Sequence, residues 1–185
     1  MYYGLEIEFL IYAVILGFIV SLIILIVDRI KKRDISALFK HITTALLIIY
    51  LLFLLTVTIF LRSRNLEVSI GFELIPLKNL INIFRNKTYR ELYEVAANIL
   101  VFVPYGFLLS CVIRKRKYLP LICGLATTVS IEIVQYVDKR GVFDINDIIN
   151  NFIGVLIGYG VYRLFRSICQ KAAERKDQDE FLFEK

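Results

Sequence analysis

The chain has 185 residues, enough for one domain, with a formal net charge of +6, 58% hydrophobic residues and 22% charged ones; its mean hydropathy is +0.67. A soluble domain holds about 45–50% apolar residues and roughly 25% charged ones, so this composition requires charges gathered into blocks between apolar runs. That excludes a soluble enzyme, a secreted disulfide scaffold and a disordered chain. It points to a polytopic membrane protein whose basic residues lie in cytoplasmic loops, with no need of a nucleic-acid partner.

A helix needs about 20 apolar residues to cross the hydrocarbon core. The sequence predicts an all-α integral membrane protein with five such spans, at 9–27, 42–61, 95–113, 119–137 and 148–162. The first is read as a span and not as a cleaved signal, because no Lys or Arg precedes it and no small-residue cleavage site follows. Arg29, Lys31, Lys32, Arg33 and Lys40 follow the first span, and Arg114-Lys115-Arg116-Lys117 follows the third. Basic density therefore places these loops in the cytoplasm, the N-terminus outside and the C-terminus inside. The segment 62–94 is assigned outside, where its six bases are diluted by Glu67, Glu73, Glu91 and Glu94. With no Trp in the chain, tyrosines must form the interfacial belt.

Between the second and third spans, Leu66, Val68, Ile70, Phe72 and Leu74 alternate as in a short strand or extended segment. Pro76 breaks it. Leu77, Leu80, Ile81 and Phe84 then recur at helical spacing, giving a short amphipathic helix in the outer interface or packed on the bundle. Thr88-x-x-Glu91 is a capping-box pattern that starts a helix near Tyr89. The membrane domain is expected over 1–168, followed by a fraying, charged cytoplasmic tail at 169–185.

Several chemistries are excluded. The three cysteines fall toward the cytoplasmic half, where a structural disulfide is not expected, and the lone His41 falls in a basic loop. No zinc cluster, outer-face Ser-His-Asp triad, Walker motif or dinucleotide motif follows.

Polar groups remain in the second half. Pro104 leaves the carbonyl of Leu100 without its helix partner and kinks the third span, next to Gly106. Glu132 and Gln135 share one face of the fourth. A carboxyl group inside a span is costly and by default a functional candidate. At about 1.5 Å per residue, Glu132 lies roughly 8 Å below the outer end of its helix, and Asn98 and Asn151 about 5 Å below theirs. Polar groups at one depth on three helices are expected to meet in one pocket, joined by Gln135, Arg140 and Asp147.

Each has a plainer reading. Asp144 and Asp147 serve as caps of the fifth helix. Glu132 is held by a structural hydrogen bond or by Arg140. Asn98 and Asn151 join helices, and Gly154-x-x-x-Gly158 is a close-packing pattern.

Four stretches are familiar in their order and spacing: Leu74-Ile75-Pro76-Leu77, Asn98 to Gly106, Ser130-Ile131-Glu132-Ile133-Val134-Gln135, and Arg140 with Asp144 to Gly154. Together, over about 74–158, they resemble the VanZ-like membrane protein family. One departure is Leu77, where the family often has Phe. The resemblance implies a multi-pass protein of the bacterial plasma membrane linked to glycopeptide resistance, chiefly to teicoplanin.

Two functions are expected to compete. One is a non-enzymatic envelope protein that limits a lipoglycopeptide's access to its cell-wall target, with Asn98, Gln135, Arg140, Asp144 and Asn151 binding. The other is an outer-leaflet enzyme acting on a lipid- or polyprenyl-linked precursor, with Glu132 and Asp147 catalytic. No motif assigns a cofactor, although Glu132, Asp144 and Asp147 offer oxygen ligands suited to Mg²⁺ or Ca²⁺. A transporter is disfavoured by the lack of a repeat or a midplane ion site.

Overall fold

The computed structural model describes residues 35–60, 71–78, 81–82 and 89–183. The first expected span, at 9–27, lies outside them, as do Leu80 and Phe84 of the expected amphipathic helix and Leu66, Val68 and Ile70 of the expected extended segment.

Helix α1 spans Ile35–Leu55 and continues as a π-helical turn, Thr56–Phe60. A short strand, β1, follows at Phe72–Glu73. Helix α2 covers Tyr89–Val112, α3 Leu119–Val137, and α4 Ile145–Phe183, with strand β2 at Phe143–Asp144 just before α4. Among the described residues, four stretches are long and apolar enough to cross a membrane: Leu38–Ile59, Leu92–Val112, Leu119–Val137 and Ile145–Lys171. Among the described residues the secondary structure is helical apart from the β1–β2 pair, with helices suited to a membrane.

Side-chain placement suits a lipid solvent. Leu100, Ile122, Val137 and Leu164 are more than 60% exposed, a surface that water would penalise. Inside lie Phe102, Leu109, Ile131 and Val155, together with buried Thr128, Glu132, Gln135 and Asn151. Within α3, Glu132 is 1% exposed while its neighbour Ile133 is 49% exposed. Polar groups point inward, as the absence of water in hydrocarbon requires.

The α2–α4 seam holds the bundle together. A methyl group added at Gly106 would collide with Val155 O, one at Gly154 with Ile99 O, and one at Gly158 with Val103 O. Only hydrogen lets the two backbones approach this closely. Val155, fully buried, also fills the space beside Gly124 of α3. Thus one α4 residue meets glycines on two helices, Gly106 through its backbone and Gly124 through its side chain. Pro104 lies inside α2, which runs through it. Tyr50 of α1 donates its hydroxyl to Val101 O at 2.8 Å, beside the carbonyl that proline leaves unserved.

Three boundaries differ from expectation. The helix α1 begins at Ile35 and takes in His41, which therefore lies on a helix and not in a loop. Lys40 and His41 are tolerated within a helix, and no proline or glycine lies between Ile35 and His41 to stop it. The last helix begins at Ile145, three residues early, because Asp144 caps it. It also runs through the charged tail to Phe183, where a fraying end was expected. No proline or glycine follows Gly160, and Ala172, Ala173, Glu174 and Arg175 are strong helix formers.

Candidate functional site

Four elements converge on a cleft of about 990 Å³ at the end of the bundle away from the 114–117 turn. Tyr50, Phe53 and Thr58 come from α1 and its π-helical turn, and Asn98 and Tyr93 from α2. Glu132 and Gln135 come from α3, and Asp147 and Asn151 from α4. Five of the residues expected to meet in one pocket therefore line one cleft.

Local sequence explains how each arrives there. Thr56 and Thr58 return their hydroxyls to Leu52 O and Leu54 O at 2.8 and 2.7 Å. Such i−4 bonds loosen the ladder, and here they accompany the switch to π geometry, which commonly marks functional sites. Thr58 O and Ile59 O are reached from outside the helix. Gln135 donates Nε2–H to Thr58 O at 2.7 Å, and Arg140 donates to Ile59 O at 2.9 Å.

Arg140 owes its direction to the end of α3. The Arg140 N–H reaches Gln135 O at 2.8 Å, and the Lys139 N–H reaches Tyr136 O at 3.2 Å. Lys139 has φ 54°. This is a Schellman stop with lysine in the left-handed position usually given to glycine. It turns the chain back so that the Arg140 guanidinium pairs with Asp138 and reaches the π-helical turn. Arg140 does not line the cleft; it braces the wall that Gln135 occupies.

The start of α4 is built similarly. Asp144 Oδ1 accepts the Asn146 N–H at 2.8 Å, which makes Asp144 the N-cap of α4. It also accepts from Asn146 Nδ2 at 2.9 Å, while that amide donates to Ile75 O at 3.0 Å. Asn146 thus ties the Leu74-Ile75-Pro76-Leu77 stretch to the head of α4. The parallel pairing of Phe72 with Phe143 and Glu73 with Asp144 adds a second tie. Asp144 does not line the cleft either. Its own N–H donates to Glu132 Oε2 at 3.1 Å. One turn into α4, Asp147 Oδ1 accepts from Asn98 Nδ2 at 2.8 Å.

The cleft is thus a chain of amide and carboxylate side chains on three helices, most of them tied to another element. One exception stands out among the described residues: Asn151 Oδ1 is buried and has no hydrogen-bond partner. Three carboxylates line the same space, those of Glu94, Glu132 and Asp147, and the last two were expected from the sequence. Among the described residues, no three His, Cys, Asp or Glu side chains stand close enough to hold a metal ion.

Several wall residues were not singled out from sequence. Tyr50 is the single tyrosine in its apolar span, and Thr56 and Thr58 are its polar residues beyond Tyr50. Those interruptions were the available signal. Asn146 offered none, since its partner is 71 residues away.

No solved structure matches the chain. It is 28% identical over 126 residues to Protein VanZ of Enterococcus faecium, which covers 68% of this chain and 76% of that protein. Residues 47–166, from the middle of α1 to Arg166 of α4, match the VanZ/LLP1 family as a whole, and the chain belongs to that family.

Proposed function

We propose that this chain acts in glycopeptide resistance, chiefly to teicoplanin, at the outer face of a bacterial plasma membrane. There it limits the antibiotic's access to its cell-wall target. The observation that carries this reading is the cleft of about 990 Å³. It lies within the size range of ligand sites, about 300–1,000 Å³. Its wall alternates amides and carboxylates with Tyr50, Phe53 and Leu100, which suits an amphiphile such as an acylated glycopeptide.

The reading takes five spans, the N-terminus outside and the 114–117 turn inside. Its support is the grouping of bases: Arg114, Lys115, Arg116 and Lys117 share one end of the bundle with Arg163 and Arg166, and the cleft occupies the other. Cysteine labelling from outside should reach Gly141→Cys and spare Lys115→Cys. The reverse pattern sinks the outward-facing cleft.

The functional test is expression in a teicoplanin-susceptible Gram-positive host. Wild type should raise resistance to teicoplanin more than to a glycopeptide lacking an acyl chain, and Asn151→Leu should remove the gain at unchanged membrane level. No gain from well-expressed wild type overturns the reading.

One observation favours a second reading, an outer-leaflet enzyme on a lipid- or polyprenyl-linked precursor: Glu132 and Asp147 face one cleft. Asp144 fits that reading less well, because its carboxylate caps α4. Glu132→Gln and Asp147→Asn keep shape and remove charge. The binding reading expects both variants to retain resistance; loss in both at normal expression replaces it with the enzyme.

A further inference from the structure

A second cavity, of about 710 Å³, lies at the opposite end of the bundle. It is walled by the end of α2, the 114–117 turn, the start of α3 and the stretch of α4 around Tyr159 to Cys169. Six cationic residues line it: Arg114, Lys115, Arg116, Lys117, Arg163 and Arg166. No acidic residue does. Among the described residues, none of the six has a carboxylate partner. Two are steered by neutral acceptors, Arg166 to Arg114 O and Arg163 to Tyr159 Oη, each at 3.3 Å. The remaining wall is apolar and aromatic, with Phe39, Ile113, Tyr162 and Phe165.

Six like charges around one space repel one another, and an anion is what relieves them. The amino end of α3 adds to the field: Tyr118 supplies no capping side chain there, and Pro120 is at its first turn. A smaller recess beside it brings Lys40 of α1 to Arg114, Lys115 and Arg116, so the positive surface continues around the bundle. The apolar wall is equally informative. Phe165 and Ile168 are 55% and 58% exposed beside Arg166, so a cationic rim passes directly into a lipid-facing surface. A small soluble anion needs the rim alone. A phosphate joined to acyl chains uses both.

We propose that this cavity is a binding site for an anionic phospholipid, with the headgroup phosphate held by the Arg114-to-Lys117 turn and by Arg163 and Arg166. Basic pockets between membrane helices hold such headgroups. The acyl chains run along the apolar face of α4 past Phe165. The site is separate from the cleft and does not rest on the proposed function.

The test uses the full chain purified in detergent with equal amounts of phosphatidylglycerol and phosphatidylcholine, and native mass spectrometry to count retained lipid. Wild type should retain phosphatidylglycerol in preference. The paired variant R163Q/R166Q should reduce that preference about tenfold or more, and R163K/R166K should restore most of it. Both substitutions lie on α4, so the basic loop that sets orientation is untouched. Millimolar glycerol phosphate should not displace the lipid. Equal retention of both lipids by wild type, or an unchanged preference in a folded R163Q/R166Q, overturns the site. Displacement by glycerol phosphate overturns it in favour of a soluble phosphate. Should R163Q/R166Q not fold, the single variants R163Q and R166Q, each with a smaller loss of preference, carry the same reading.

Discussion

At the cleft end, Glu132 accepts the Asp144 N–H, Asp147 accepts from Asn98, and Gln135 and Arg140 serve the carbonyls of the π-helical turn. At the other end, six bases surround a cavity without an acidic partner among the described residues. The comparison teaches where each kind of polar group is tolerated. Groups within the spans have no water and must satisfy one another. Cations at the end of a bundle keep access to water and headgroups, so they can be left for a ligand. The cleft is therefore built into the fold, whereas the basic cavity is added to its surface. Each variant below tests that difference.

The largest effect is expected where both ends depend on one seam. A methyl group at Gly158 would meet Val103 O and Phe107 N, backbone atoms that cannot rotate away. Gly158→Ala should cost about 3 kcal/mol or more, the upper part of the overpacking range. Cleft and basic cavity should fail together, seen as loss of monodisperse protein and of lipid retention. Gly160 has nothing within 4 Å of an added Cβ, so Gly160→Ala should be tolerated. Equal behaviour of the two variants would show that α2 and α4 do not pack as closely as described.

The next effect should separate the ends. Glu132→Ala removes the fully buried carboxylate that accepts the N–H of half-buried Asp144. The expected loss is about 1–3 kcal/mol, read as a lower melting temperature in detergent. Glu132→Gln keeps an acceptor oxygen and should cost far less. Arg163→Gln, at the exposed end, should stay within about 0.5 kcal/mol of wild type. If Arg163→Gln destabilises as much as Glu132→Ala, the basic end is structural and the contrast between the ends disappears.

The sequence reveals these two ends to different degrees. The limits of α3 were legible at both ends, because Lys117 and Asp138 bracket the apolar run and Pro120 marks its first turn. The capping box at Thr88 and Glu91 falls partly outside the described residues, and α2 is described from Tyr89. The convergence of Asn98, Glu132 and Asn151 on one cleft was legible because helical rise converts sequence distance to height along each helix. The basic end was visible as charge density, yet its cavity was not, since that needs α4 to continue past Tyr162. What stayed hidden was long-range or conformational. Asn146 meets Ile75 across 71 residues. The aim of Arg140 depends on a positive φ at Lys139, a residue that gives no sign of adopting it. Asp144 read as a ligand or a cap in sequence alone, and its hydrogen bond to the Asn146 N–H makes it a cap.

A smaller effect tests whether the satisfied end extends to α1. Tyr50 donates to Val101 O from inside its span. Tyr50→Phe removes one hydroxyl and keeps the ring. Interhelical hydrogen bonds in membranes average about 0.6 kcal/mol, so the melting temperature should fall slightly and measurably. An unchanged melting temperature would make the Tyr50 hydroxyl, already at the cleft, ligand-facing and not structural. Resistance would then be the property to fall.

The smallest effect concerns the turn that aims Arg140. Lys139 adopts φ 54°, where a Cβ crowds the following carbonyl at a cost of about 1–2 kcal/mol. Glycine removes that crowding. It also gives the unfolded chain more freedom, offsetting roughly 0.5–1 kcal/mol of the gain. Lys139→Gly should therefore stabilise by only about 0.5 kcal/mol, the difference of these two terms. Lys139→Val should destabilise, because a β-branched side chain is a poor fit to that region. The pair of variants reads the same dihedral from both sides. If glycine lowers the melting temperature and valine leaves it unchanged, the Schellman stop is not what turns Arg140 toward Ile59. The cleft wall would then be held by Gln135 alone, with the Asp138 pair as a surface contact of little weight.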